Sequence, residues 1–259
     1  MKVALIQINS GNNKSANIKN TLIKIQTAID KGAQFILLPE IFNYRGKLKG
    51  VDLFNEIAEE IPGDSIVPLL DIAKKEKVNI LAGSIYERSS KNNKIYNTSL
   101  MIDAAGSIIC KYRKIHLFHA IINGVEIDES DIYAAGNEPV ICNVNNIKVG
   151  MSICYDLRFP EHYRNYFNKG VDVIVVPSSF TLRTGELHWE TLLRARAIEN
   201  YSYVLAPNQC GLDGNAVQTY GHSMGIDPQG NIIGILKNMD EGILYIEIGK
   251  VSSMPKLKV

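Results

Sequence analysis

The sequence predicts a mixed α/β protein, with two β-sheets stacked face to face and helices on their outer faces. Three observations carry this expectation. Short buried apolar runs alternate with stretches that repeat apolar residues at helical spacing. The chain also echoes itself. Gly32-Ala33-Gln34-Phe35-Ile36-Leu37-Leu38-Pro39 matches Gly170-Val171-Asp172-Val173-Ile174-Val175-Val176-Pro177, and the segment from Ser99 to Ile109 matches that from Ser223 to Ile233. Both matches fall in the same order, which implies two similar halves, and the period is too long for a solenoid. Finally, 259 residues with 46% hydrophobic and 21% charged side chains can bury one large core without staples.

The elements follow in order. Residues 3–8 read as a buried strand. Residues 15–31 place Ile18, Leu22, Ile25 and Ile29 on one helical face, with Ser15 as the expected N-cap and Gly32 as the stop. Residues 35–38 form a second buried strand. A helix is expected over 65–77, opening at Asp64-Ser65 and closing on a lysine-rich turn. Strands follow at 79–85, 98–103 and 107–112, the last two joined by the Ala104-Ala105-Gly106 hairpin signal. Residues 116–139 show little periodicity and read as a long functional loop. Strands resume at 147–153 and 171–176, with a helix after the Cys154 segment. A helix over 186–200 precedes strands near 203–206, 221–227, 231–236 and 242–248. Gly211-Leu212-Asp213-Gly214 reads as a turn, because no Lys-Ser or Lys-Thr follows it to cradle a phosphate.

Composition narrows the function. Lys and Arg total 28 against 27 Asp and Glu, a net charge of +1, which gives no nucleic-acid footprint. A small-molecule partner is expected. The apolar run near Met1 is too short for a signal-peptide core, and no stretch approaches a membrane helix. A cytoplasmic chain is therefore expected. Cys110, Cys142 and Cys210 are scattered without metal-ligand spacing and read as reduced, buried thiols.

Three polar residues stand where apolar strands stop: Glu40, Lys114 and Cys154. A charged residue after a strand ordinarily meets water. Together, however, the three make a workable set. A thiol is a poor nucleophile until deprotonated. A partly buried glutamate can take its proton, and an ammonium can hold the thiolate and then an oxyanion. The backbone N–H of Tyr155 would be a second donor.

These segments resemble a known family. Leu37-Leu38-Pro39-Glu40, Tyr112-Arg113-Lys114-Ile115-His116-Leu117 and Ile153-Cys154-Tyr155-Asp156-Leu157-Arg158-Phe159-Pro160-Glu161 are similar to the three signatures of the nitrilase superfamily, the carbon–nitrogen hydrolases. The resemblance spans nearly the whole chain. It implies a four-layer α-β-β-α sandwich with internal pseudo-two-fold symmetry, a single domain over residues 1–259, and a homodimer. It also implies a Glu40–Lys114–Cys154 triad, with Glu129 as a further glutamate, and no metal or organic cofactor. Gly185-Glu186-Leu187-His188-Trp189-Glu190, Arg194 to Asn200, Gln209-Cys210-Gly211 and Tyr220-Gly221-His222-Ser223-Met224 are similar to the Nit branch of small amidases. That branch acts on deaminated glutathione or on ω-amides of 2-oxoacids.

The implied reaction is cysteine-dependent hydrolysis of a small linear amide with release of ammonia. A nitrile or an N-carbamoyl compound would use the same triad, and a binding protein on the same scaffold is the reading from another class. One departure concerns His116-Leu117-Phe118-His119-Ala120-Ile121-Ile122-Asn123-Gly124, where relatives commonly carry an acidic residue and a Pro-Gly turn. Substrate choice is expected to lie in the loops 43–50 and 119–136. Tyr44 and Arg45 are expected at the pocket mouth. Arg158, Arg183 and Arg194 are candidates for binding a substrate carboxylate. His188 and Trp189 are expected to pack a helix against the sheets. The tail from Met254 to Val259 is expected to reach a neighbouring subunit.

Overall fold

Alternation along the strands decides the layers. In a computed structural model describing residues 1–46, 52–89, 94–122 and 125–249 (backbone only for 120–122 and 125–127), β1 (Lys2–Gln7) turns Val3 and Leu5 to one face and Ala4 and Ile6 to the other. It leads into α1 (Lys14–Asp30) and β2 (Phe35–Leu37). Then come α2 (Val67–Glu76), β3 (Asn79–Ser89), β4 (Lys94–Ile102) and β5 (Ile108–Arg113). A hairpin of β6 (His119–Ile122) and β7 (Val125–Asp128) joins this half to β8 (Val140–Val144) and β9 (Ile147–Met151). The second half continues with α3 (Pro160–Asn168), β10 (Val173–Val175), α4 (Leu182–Asn200) and β11 (Tyr203–Ala206). It ends with β12 (Cys210–Leu212), β13 (Gln218–Tyr220), β14 (Met224–Ile226), β15 (Ile232–Ile235) and β16 (Gly242–Glu247).

One sheet runs β16-β1-β2-β3-β4-β5 and the other β15-β14-β11-β10-β9-β8. Their inner faces share a core: Leu5, Phe35, Leu37, Leu81 and Met101 meet Val149, Met151, Val173, Val175 and Leu205. The outer face of the first sheet (Ala4, Ile36, Ile80) packs on Ile25 and Ala28 of α1 and on Leu69 and Ala73 of α2. The outer face of the second (Ile174, Val204, Ile226) packs on Tyr163 and Tyr166 of α3 and on Trp189, Leu193 and Ala197 of α4. The result is the four-layer α-β-β-α sandwich. Strands β1-β2-β3 and β9-β10-β11 are each parallel, and each set is flanked by antiparallel neighbours. The internal echoes fall on β2 and β10, and on β4-β5 and β14-β15, so the duplicated pattern is a duplicated structure.

Several local expectations are corrected. Asn13, not Ser15, caps α1: it is extended, and its side chain accepts from the Ala16 N–H at 3.0 Å. The α4 helix begins at Leu182, and α2 only at Val67, with Pro68 in its first turn. The stretch read as a long loop holds β6, β7 and a 3₁₀ turn over Glu129–Asp131. β8 and the β12–β13 hairpin were not foreseen. Cys110 and Cys142, expected as free thiols, are joined as a disulfide between β5 and β8, with Cα atoms 6.1 Å apart. Cys210 is free and buried. No helix among the described residues is long and apolar enough to cross a membrane. Residues 47–50 of the first specificity loop, 123 and 124 of the second, and the tail from Met254 to Val259 lie outside the described residues.

Candidate active site

Strand ends bring the chemistry together. Glu40 follows β2 and Cys154 follows β9, both at the C-terminal ends of parallel strands, where such sheets open to ligands. Lys114 follows β5 on the first sheet. The Glu40 turn is held by backbone bonds from several directions. Ser84 in the irregular middle of β3 accepts from the Ile41 N–H through its Oγ at 2.9 Å and from the Phe42 N–H through its carbonyl at 3.2 Å. From the second half, Gln209 Nε2 donates to the Glu40 carbonyl at 3.0 Å.

Cys154 sits in the left-handed region at φ 44°, an unfavourable conformation for a residue with a Cβ. Asp156, fully buried, fixes that turn. Its carboxylate accepts from the Ile153 N–H at 2.8 Å, the His116 N–H at 3.0 Å and the Tyr112 hydroxyl at 2.6 Å, and His116 Nδ1 lies 2.7 Å away. Burial opposes its charge, but the bonds from His116 and Tyr112 outweigh it and hold the Asp156 pKa below the usual range. His116, Asp156 and His162 gather ligand atoms within 4.8 Å of one another. With the Asp156 oxygens already engaged and His162 Nε2 at 3.3 Å from the Met151 carbonyl, the cluster reads as a brace for the Cys154 turn.

Lys114 is the hub. Its Nζ donates to Glu40 Oε1 at 3.1 Å and to Glu129 Oε1 and Oε2 at 3.1 and 2.9 Å. Glu129 is aimed by the Phe118 N–H, which donates to its Oε2 at 2.7 Å. Asn97 Nδ2 donates to Glu40 Oε1 at 2.9 Å. Lys114 and Glu40 are only 1% and 4% exposed, so this is a desolvated charge cluster in which each partner matters. Burial opposes the Lys114 charge, but Glu129 and Glu40 together hold its pKa well above the usual lysine range. Burial, reinforced by Glu40, raises that of Glu129 against the pull of Lys114. Burial and the nearby Glu40 carboxylate push the Cys154 thiol well above its usual range, while Lys114 and a bond from the Ser179 backbone pull it down. Cys154 is therefore held in its thiol form beside Glu40.

All four groups line one cavity of about 170 Å³, together with Tyr155, Arg158, Phe180 and Thr184. Arg158 lies among aromatic rings, with its guanidinium 5.7 Å from the Tyr155 ring centroid and 5.6 Å from that of Phe180. Its Nη1 and Nη2 both approach His188 Nδ1 at 3.3 Å, and no carboxylate pairs with it among the described residues. Three expected substrate contacts lie elsewhere. Tyr44 belongs to an apolar cluster with Ile41, Leu53, Ile57 and Tyr86 rather than to the cavity lining; its neighbour Arg45 lines the cavity. Arg183 is exposed on α4, where the helix turns Thr184 to the cavity. Arg194 is engaged by the Gly230 carbonyl and Glu190. Trp189 packs as expected, its Nε1 donating to the His222 carbonyl at 2.9 Å. Asn97 and Ser179 were missed. The signal for Asn97 was a polar run, Asn97-Thr98-Ser99, inside an otherwise apolar strand.

The sandwich and the polar hub at its strand ends define a carbon–nitrogen hydrolase. The chain belongs to the carbon-nitrogen hydrolase family, whose model matches residues 2–254. It is 38% identical to a deaminated glutathione amidase from Dictyostelium discoideum, over 95% of this chain and 87% of that one. It is 36% identical to omega-amidase NIT2 of Mus musculus, over 95% and 88% of the two chains. Its fold superimposes on the crystal structure of Nit3 from Saccharomyces cerevisiae, a member of branch 10 of the nitrilase superfamily. The TM-score is 0.85 and the identity 32%, over 98% of this chain and 92% of that one. The protein is thus an enzyme of the amidase type.

Proposed function

We propose that the enzyme hydrolyses a small linear amide carrying a carboxylate, through a thioester on Cys154. The observation that supports this most is the Lys114 ammonium bridging Glu40 and Glu129, with the Cys154 thiol lining the same cavity. As the substrate carbonyl enters, Glu40 takes the thiol proton and Sγ attacks the carbonyl carbon. Lys114 and the Tyr155 N–H stabilise the oxyanion. Collapse breaks the C–N bond, and Glu40 gives its proton to the departing amine. Water then attacks the thioester with Glu40, assisted by Glu129, as base. The acid leaves and Sγ regains its proton. Arg158, free of any carboxylate among the described residues, holds the carboxylate end of the acyl chain.

The experiment is turnover of succinamate, 2-oxoglutaramate, deaminated glutathione and a simple aliphatic amide, with intact-protein mass spectrometry. Cys154→Ala is expected to give neither adduct nor product, and Glu40→Gln to lose roughly 10²–10⁴-fold in kcat. Turnover by Cys154→Ala at the parental rate refutes the mechanism.

The same reading makes the enzyme a single-domain homodimer. The exposed Leu187 and Ile198 of α4 support this, and sedimentation velocity checks it. It also keeps the enzyme in the cytoplasm. Cell fractionation tests that location.

A further inference from the structure

Face-to-face sheets ordinarily stand about 10 Å apart, yet at one edge of this sandwich the two sheets come closer. Cys110 of β5 and Cys142 of β8 are joined as a disulfide with Cα atoms 6.1 Å apart, inside the span of roughly 4.4–6.8 Å that such a bond bridges. β5 is an edge strand of the first sheet and β8 an edge strand of the second. The catalytic cycle proposed above uses neither cysteine.

Their places in the strands give the bond a consequence. Side chains share a strand face at every second residue, and Cys110, Tyr112 and Lys114 follow one another at that spacing. Cys110 meets β8, Tyr112 donates its hydroxyl to Asp156 of the Cys154 turn at 2.6 Å, and Lys114 carries the charge hub. On the other sheet, Cys142 stands opposite Val149 of β9, the strand that leads through Met151 into Cys154. The approach to β8 is tied back as well. The Gly136 N–H donates to the Lys114 carbonyl at 2.8 Å, and the Lys114 N–H donates to the Asn97 carbonyl at 2.8 Å. A closed bond therefore fixes β5, which carries Lys114, against the β8–β9 hairpin, which carries Cys154. Opening it leaves that seam to packing and hydrogen bonds.

We propose that Cys110 and Cys142 are a reversible redox site that tunes the hydrolase through this seam, more active with the bond closed and less active with it open. The reactant is a low-molecular-weight thiol and its disulfide, for which glutathione is the probe. The exchange balances. Cys110 is half-buried where Cys142 is 1% exposed, so Cys110 meets the small disulfide first. Its sulfur bonds to one sulfur of that disulfide, whose S–S bond breaks and releases one small thiol. The Cys142 sulfur then attacks Cys110 and displaces the second. The two cysteine protons end on the two small thiols, and two electrons pass from the cysteines to the small disulfide. Reduction runs the same steps backwards. In the cytoplasm proposed above, such a bond is made and broken rather than permanent.

The kinetic arm of the test rests on the amidase reading; the thiol arms do not. The parent is equilibrated over a series of ratios of glutathione to its disulfide, and free thiols are counted by alkylation and intact-protein mass. Two are expected at the oxidising end and four at the reducing end. On reduction, kcat for the fastest-hydrolysed amide is expected to fall roughly threefold or more with KM unchanged. The rate at which iodoacetamide labels Cys154, mapped by peptide, is expected to fall with it. Cys110→Ser and, separately, Cys142→Ala are expected to keep the reduced parent's values at every ratio, which separates this bond from a mixed disulfide on Cys154. Four free thiols at every ratio, or a bond that excess reductant does not open in the folded protein, overturn the proposal. So does a bond that opens and closes while kcat and Cys154 labelling stay constant, whatever the melting temperature does, because that is a staple alone. Inactivity on every amide in both states refutes the amidase reading instead, and Cys154 labelling then decides the redox site.

Discussion

At the scale of single residues, the charge hub rests on asymmetric support. Glu40 receives two donors, Lys114 and Asn97, on the same oxygen, Oε1; on the proposed mechanism the other oxygen serves the thiol. Replacing Asn97 by Leu removes a charge-assisted bond from a buried carboxylate, worth about 1.5–3 kcal/mol. We expect kcat to fall by roughly tenfold or more. An unchanged kcat in steady-state kinetics would assign Asn97 to packing alone. Glu40 and Cys154 stand out in the sequence because each ends an apolar run, whereas Lys114 follows the charged Lys111-Tyr112-Arg113 and is marked by the family resemblance of its segment. Asn97 and Ser179 do not stand out, because a polar residue within a strand carries no mark of whether it faces water or a buried cavity. Tyr44 and Arg45 show the same limit: of these adjacent residues only Arg45 lines the cavity, and only the backbone decides which one does.

At the scale of elements, β3 does more than pair with its neighbours. Its register shifts between Ala82 and Ile85, and Gly83 lies there against the Glu40 turn. A Cβ on Gly83 would stand 1.9 Å from the Pro39 carbonyl oxygen and 2.6 Å from that of Leu38. Gly83→Ala must therefore displace the segment that carries Glu40. We expect a loss of more than about 2 kcal/mol in urea unfolding, with activity reduced beyond what the unfolded fraction explains. A glycine inside a strand is a readable sign of close backbone approach, and it went unread in the sequence. The parallel strands were readable as continuous buried apolar runs, and α1 by its apolar period. β8 and the β6–β7 hairpin lack such a run. Residues Val140 and Ile141 of β8 are only half-buried, and the β6–β7 pair is joined outside both large sheets, so neither follows the buried-strand pattern.

At the scale of the whole molecule, the two-sheet architecture was readable because duplication writes the same pattern twice. Its stability carries a pH signature from the first sheet. Glu87 on β3 is buried and meets Arg113 at 2.7 and 2.8 Å, Lys111 at 2.9 Å and Thr98 at 2.7 Å. Burial opposes its charge, yet the bonds from Arg113, Thr98 and Lys111 carry its pKa down to about 2 from 4.5. A depressed carboxylate stabilises the fold above its unfolded value, and that contribution fades as pH falls from 4.5 towards 2. The magnitude is on the order of 2–3 kcal/mol. Denaturant unfolding across that window is expected to show a steeper acid limb in the parent than in Glu87→Gln. Parallel limbs would remove Glu87 from the account.

Glu40, Lys114 and Glu129 arrive from the first half of the chain and Cys154 from the second, with Gln209 tying one side to the other. On the proposed mechanism, attacking sulfur and proton acceptor are thus mounted on separate slabs, and the gap between them is a mechanical quantity. Any slippage of one slab over the other alters that gap before it disturbs either slab, so turnover acts as a strain gauge for the seam. A fragment ending after β5 would hold a base with nothing to deprotonate.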